Sequence, residues 1–189
     1  MRCLMLHKPR GYVTTRSDPQ ARPTVFDLVT DAEAHLIAVG RLDLATSGLL
    51  LFTNDTRLAD VLTDPKNAIP RVYIVTVRGR WEERKSLLVK EGIAESSEIL
   101  SAAAVVVRKV SGKESQLLVT LLEGKNREIR RLMKAAGHEV TRLKRVAFGG
   151  LELGDLPAKR WRELSFAELS AAFGTVVAEI GKRHFPSPC

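Results

Sequence analysis

Short apolar runs, each stopped by glycine, proline or a polar loop, set what this chain can fold into. Strands of that kind without regular crossover helices between them disfavour a doubly wound parallel sheet. Cys3 to Leu6 reads as a strand stopped by Pro9 and Gly11, and the residues to Pro23 read as a polar loop. His35 to Val39 and Leu49 to Phe52 read as further strands, followed by a helix from about Asp55 to Leu62 that ends before Pro65. Val72 to Val77 is β-branched and alternating, and Glu82 to Lys90 reads as a helix closed by Gly92. Ala103 to Val107 and Leu117 to Leu122 read as an antiparallel pair, and Val140 to Val146 as another strand, with irregular chain from Gly149-Gly150 to Pro157. Ser165 and Glu168 form a capping box ahead of Phe166, Leu169, Ala172 and Phe173, which predicts a last helix. The expected class is α+β with a mixed, mainly antiparallel sheet.

Charge is concentrated within this pattern. The 189 residues carry a net +8, and residues 125 to 145 hold 8 basic against 2 acidic side chains, three quarters of the excess. Ile129, Leu132, Met133 and Ala136 recur at helical spacing there, so one face packs and the other is basic. Asn126 is expected to cap this helix. The basic face is either a solvated surface or a site for phosphates, which arginines in the first turns of a helix attract. With 44% apolar residues the chain is not a disordered one. No apolar run is long enough to suggest a membrane span or a signal peptide, which leads to an expected cytoplasmic location. Cys3 and Cys189 lie at opposite ends and match no metal-ligand spacing, so neither disulfides nor structural zinc are expected, and the tail from Gly181 reads as frayed.

Several chemistries lack their motifs: there is no phosphate-binding glycine loop with its lysine, no GxGxxG after a strand and no G-x-S-x-G turn. His7, His35, His138 and His184 are scattered without ligand spacing. No metal or cofactor is indicated. What stands out is Gly40-Arg41-Leu42-Asp43, an acidic residue in a glycine-flanked loop between two apolar strands. Such loops commonly carry catalytic groups, although an isolated R-x-D also suits a turn with a surface ion pair.

The Gly-Arg-Leu-Asp segment resembles the catalytic motif of the pseudouridine synthases, in the form found in the ribosomal small-subunit synthase A (RsuA-like) group. His7-Lys8-Pro9-Arg10-Gly11 is similar to that family's opening Asn-Lys-Pro-x-Gly, and Arg71-Val72-Tyr73 to its Lys-x-Tyr strand. Residues Glu123 to Met133 resemble its third motif, and Phe148 to Pro157 its closing segment. His7 and Arg71 replace the usual Asn and Lys, and Glu128 stands where Gln is frequent. Because the chain starts almost directly at the first motif, it is similar to the subgroup without an N-terminal RNA-binding domain, which includes a 23S rRNA synthase (the RluE-like type). The resemblance implies the pseudouridine synthase fold over residues 1–175, in two lobes divided near 60–70 around a central RNA-binding cleft, with 176–189 as helix end and tail.

The activity so implied is isomerisation of a specific uridine in ribosomal RNA, most of all 23S, to pseudouridine. The bond from the sugar to ring nitrogen 1 is cut, the uracil turns, and a bond forms to ring carbon 5, with no cofactor needed. By resemblance Asp43 is the essential carboxylate, attacking sugar or uracil covalently or removing a sugar proton. Arg130 resembles the arginine that offsets the cost of holding this charge in a water-poor pocket by an ion pair, its other reading being a phosphate contact. Tyr73 would lie against the flipped uracil and take the proton from ring carbon 5; judged without the motif, a strand tyrosine is a core residue. Arg41 resembles the residue that fills the gap left by base flipping. Lys8, Lys125, Asn126, Arg127, Arg131 and Lys134 are the expected RNA contacts, with Arg142 and Arg145 behind them. The expected partners are ribosomal RNA, alone or in a pre-ribosomal particle, with no membrane, for a monomeric protein. Two rivals remain on these residues: an inactive RNA-binding or ribosome-assembly protein on the same fold, and a synthase acting on tRNA.

Overall fold

The computed structural model describes residues 1–30, 35–95, 97–174 and 177. His184 and the tail from Gly181 to Cys189 lie outside the described residues. The chain divides into two compact units: Met1–Ile69 with the chain from Ala147 onward, and Pro70–Val146.

The first unit is built on β1 (Cys3–Lys8), β2 (Ile37–Val39) and β3 (Ser47–Thr53), followed by helix α1 (Thr56–Thr63). β1 runs antiparallel to β3 from Cys3↔Thr53 to Lys8↔Gly48, and β2 pairs with β3 over Ile37 to Val39. A strand paired along both edges and covered on both faces must be apolar throughout, and Leu49, Leu50, Leu51 and Phe52 are all fully buried. The pleat sorts its neighbours. Cys3, Met5, Leu49 and Leu51 join Leu58, Ala59 and Leu62 of α1 in one core cluster, while Leu4, Leu6 and Lys8 point to the other face. Asp55 caps α1 by accepting from the Arg57 amide at 3.0 Å.

The second unit follows in chain order: β4 (Arg71–Arg78), α2 (Glu83–Glu91), the hairpin β5 (Ile93–Glu95) and β6 (Glu98–Leu100), β7 (Ala104–Val110), β8 (Glu114–Leu121) and α3 (Glu128–Ala135). β8 lies between β4 and β7, antiparallel to both, and its pairing with β7 is the one expected of Ala103–Val107 and Leu117–Leu122. Ile129, Leu132, Met133 and Ala136 form the buried stripe of α3. The expected cap is corrected: Asn126 does not cap this helix. Arg127, left-handed at φ 48°, precedes it, and the Glu128 carboxylate reaches back to accept from the Lys125 amide at 3.1 Å.

β9 (Val140–Phe148) leads the chain back to the first unit, where β10 (Leu151–Glu152), β11 (Trp161–Glu163) and α4 (Phe166–Phe173) complete it. The expected irregular stretch after Gly150 contains β10, which hairpins onto β9, and β11 extends the sheet along β1. His35 lies outside β2, with φ at 88°. Gly149 has a φ of 58°, and a Cβ there would sit 2.4 Å from the Phe173 ring, while one on Gly150 would sit 2.9 Å from the Ala172 backbone. The glycine pair thus lets α4 press onto the strand end, with Ser165 and Glu168 forming its capping box.

Candidate active site

In the first unit the loop between β2 and β3 carries Arg41 and Asp43. Gly40, at φ 70°, turns the chain out of β2, and the buried Leu42 anchors the loop. Thr14 Oγ1 donates to the Leu42 carbonyl at 2.8 Å and accepts from its amide at 3.3 Å. The Asp43 carbonyl accepts from the Thr46 amide at 2.9 Å, and the Leu44 carbonyl from the Gly11 amide at 2.8 Å. The backbone is therefore fixed on both sides of Asp43, whose side chain is half-buried, while Arg41 is exposed.

Lys8 supplies the strongest of these restraints. It is 0% exposed, and its Nζ donates to the carbonyls of Pro9 at 3.1 Å, Asp43 at 3.0 Å and Thr46 at 2.8 Å. All three ammonium donors are matched to loop acceptors, which offsets the cost of burying the group. Burial pulls its pKa down from 10.5 to about 8, opposed by the nearby Asp43 carboxylate. The expectation that Lys8 contacts RNA is corrected: its ammonium is enclosed and holds the loop that presents Asp43. His7, beside it, places Nδ1 2.7 Å from the Leu156 carbonyl, which ties the segment before β11 to the end of β1.

The second unit holds Tyr73 and Arg130. Tyr73 is buried on β4 opposite Val119 of β8, on the same face as Arg71. Arg71 Nη1 donates to the Leu122 and Glu123 carbonyls, both at 3.3 Å, and fixes the start of the Glu-Gly-Lys-Asn turn ahead of α3. Its pKa is lowered by burial and by the neighbouring Arg145, against the opposing pull of Tyr73 and Glu128. Glu128, 5% exposed, is pushed up by burial, with the Lys125 amide working the other way. This buried group around Tyr73 is a feature that motif reading placed only in part. Arg145, expected behind the phosphate contacts, is 3% exposed, and burial at that level closes it to a polyanion. Arg142 is exposed and paired with Glu114 at 2.7 Å. Arg130 is half-buried on α3 and donates to the Val140 carbonyl at 3.2 Å.

The basic face of α3 is less uniformly positive than its sequence. Asn126, Arg127 and Lys134 are exposed. Lys125 lies 2.8 Å from Glu123, and its Nζ donates to the Ile99 carbonyl at 3.2 Å. Arg131, expected as a plain phosphate contact, is held by Glu95 and Glu98 of the β5–β6 hairpin. No helix among the described residues is long and apolar enough to cross a membrane.

These elements recur in known proteins. Residues 2–135 match the profile of the family described as RNA pseudouridylate synthase, and the chain belongs to that family. It is 35% identical over 176 residues to an uncharacterized RNA pseudouridine synthase of Aquifex aeolicus, covering 93% of this chain and 71% of that one. It is 43% identical to ribosomal large subunit pseudouridine synthase B of Salmonella typhi, covering 93% of this chain and 61% of the relative, and 41% identical to its namesake in Pasteurella multocida. The chain thus spans half to about three fifths of those two large-subunit synthases, 50% and 61%. Among solved structures, a crystal structure of a pseudouridylate synthase superposes with a TM-score of 0.77 at 28% identity, over 89% of this chain and 72% of that one. An H/ACA ribonucleoprotein bound to a substrate RNA gives 0.62 at 20% identity over 80% of this chain and 48% of the other, a likeness of fold alone.

Proposed function

We propose that this protein isomerises a specific uridine of large-subunit (23S) ribosomal RNA to pseudouridine, with Asp43 as the essential carboxylate. The observation that carries the reading is the Gly-Arg-Leu-Asp loop itself, whose backbone is pinned by the buried Lys8 ammonium while its aspartate stays half-buried. A carboxylate that must act on one atom of a flipped nucleotide gains most from a backbone already fixed, because no ordering is left for the reaction to pay for. Names of relatives that act on the ribosomal large subunit support the choice of substrate.

Each step follows from a side chain. Base flipping costs a few kcal/mol, least at an unpaired uridine, and the exposed Arg41 fills the vacated place and neutralises phosphate. Asp43 then acts on the sugar or the uracil as the bond to nitrogen 1 breaks, and Arg130 supplies the guanidinium that supports its negative charge. The base turns, its carbon 5 joins the sugar carbon, and the Tyr73 phenol relays the proton released from carbon 5, accepting it as it gives up its own, so that a proton ends on the freed nitrogen 1. The exposed Asn126 and Arg127 just before α3 and Lys134 on it contact the RNA backbone, which gives affinity with little sequence selectivity.

The test is chemical mapping of pseudouridine on total RNA from cells lacking the gene, complemented with wild type or with Asp43→Ala. One large-subunit rRNA uridine should lose its signal and regain it only with wild type. Restoration by Asp43→Ala would remove Asp43 from catalysis, and a changed site in tRNA alone would overturn the substrate.

A further inference from the structure

Within the second unit, the guanidinium of Arg131 lies against the carboxylates of the β5–β6 hairpin. Its Nε donates to Glu95 Oε2 at 2.8 Å and its Nη2 reaches the same oxygen, while Nη1 and Nη2 donate to Glu98 Oε2 at 3.3 and 3.2 Å. Glu95 and Glu98 are register partners across the hairpin. Like charges directly opposite one another destabilise a strand pair, so this hairpin end needs a cation. Lys125 meets the same hairpin at the Ile99 carbonyl. Two members of the basic segment are thereby committed to a neighbouring element that is itself acidic.

Carboxylate and phosphate oxygens are alternative partners for the planar guanidinium fork. We propose that Glu95 and Glu98 are specificity determinants that occupy Arg131 in place of RNA phosphate. Arg131 joins the RNA interface only when a bound RNA brings a phosphate close enough to displace them. The inference rests on the reading of α3 as an RNA-contacting helix. An RNA that fits poorly is held without Arg131, because releasing the guanidinium leaves two facing carboxylates uncompensated. An RNA that fits well recovers that loss through the new contact. The hairpin thus lowers general affinity for nucleic acid while leaving the fitted complex its full set of contacts.

The experiment uses the full chain and two probes, an unmodified large-subunit rRNA transcript and a short single-stranded RNA of unrelated sequence, with binding measured from 50 to 200 mM salt. In Glu95→Gln/Glu98→Gln, binding of the unrelated RNA should steepen in its log–log salt dependence by about 0.7, the increment of one single-strand phosphate contact. Its affinity gain over wild type should then be roughly threefold larger at 50 mM than at 200 mM, and discrimination between the probes should narrow. With Arg131→Gln also present, the glutamine pair should change neither slope nor discrimination. An unchanged slope in the double variant overturns the proposal. So does a gain that persists without Arg131, which would be a general effect of two lost negative charges. Lys134→Gln separates the two levels: if it leaves the slope unmoved, the RNA-contacting reading of α3 falls and the proposal with it. If it flattens the slope while the glutamine pair does nothing, the proposal alone falls.

Discussion

The Asp43 loop in the first unit and the basic helix in the second are both held by a cation, in opposite ways. At the loop, one buried ammonium satisfies three neutral carbonyls, and Lys8 has no access to solvent. At the helix, a partly exposed guanidinium satisfies two charged carboxylates, an arrangement that solvent and salt screen. The difference matches what each site must do. A loop presenting a reacting carboxylate needs one geometry in every state, while a surface meeting a polyanion gains from contacts that can be exchanged.

The comparison breaks most visibly at the loop. Asp43→Asn should abolish pseudouridine formation, measured by chemical mapping, while the urea midpoint falls less than in Lys8→Met, because the loop carbonyls of Pro9, Asp43 and Thr46 keep their ammonium donor. Lys8→Met should do the reverse in kind. It leaves three enclosed carbonyls without their donor, at about 1–3 kcal/mol for each group left unsatisfied, so the urea midpoint falls and activity falls with it. A Lys8→Met protein as stable as wild type would show that the ammonium is not what holds the loop.

A subtler break comes from pH. The folded pKa of Lys8 is about 8 against 10.5 for an ordinary lysine. Between those values the unfolded chain binds more protons at this position than the folded one, so the stability contribution of Lys8 rises with pH. It is fully present above 10.5 and lost as pH falls through 8, a change on the order of 3 kcal/mol. Other groups titrate in this window, so the quantity to measure is the difference in unfolding free energy between wild type and Lys8→Met at pH 7.5 and pH 10. That difference should grow in favour of wild type. Activity should run the other way, because a neutral amine has two N–H donors for three carbonyls and the loop loses one restraint. A stability difference that is flat across the window would place the Lys8 pKa near its ordinary value.

How far such features were legible in the sequence depends on whether local pattern or distant contact creates them. β3 and β4 were legible because a doubly covered strand reads as an apolar run and a half-covered one alternates. The Asp43 loop was legible from its motif. The role of Lys8 was not, since a lysine beside Pro9 and Gly11 reads as surface, although Leu4, Leu6 and Lys8 share one face of β1 and the first two are core. Arg145 followed the same pattern, sitting two residues from Leu143 on β9 and buried with it. The β5–β6 hairpin and β11 escaped because strands as short as Glu98-Ile99-Leu100 and Trp161-Arg162-Glu163 carry too few residues for a period to show, and their pairing is decided by neighbours. Asn126 looked like a cap by residue type, but the Glu128 amide donates to the Lys125 carbonyl at 3.2 Å in a turn that passes through the left-handed Arg127, and the helix starts after it.

The smallest effect sharpens the comparison within α3 itself. Lys134 and Arg131 lie three residues apart and contribute the same formal charge, so a count of charges predicts equal contributions to RNA binding. The structure predicts unequal ones. Lys134 is exposed, whereas Arg131 already has Glu95 and Glu98 as partners, so an RNA must displace them before any counterion is released. Lys134→Gln should therefore flatten the log–log salt dependence of binding to an unrelated RNA by about 0.7, and Arg131→Gln by clearly less. On the large-subunit rRNA transcript the two substitutions should converge, since there the phosphate takes the place of the carboxylates. Equal slopes on both probes would mean that the hairpin carboxylates give way to any RNA, and the two kinds of cation site would then differ only in burial.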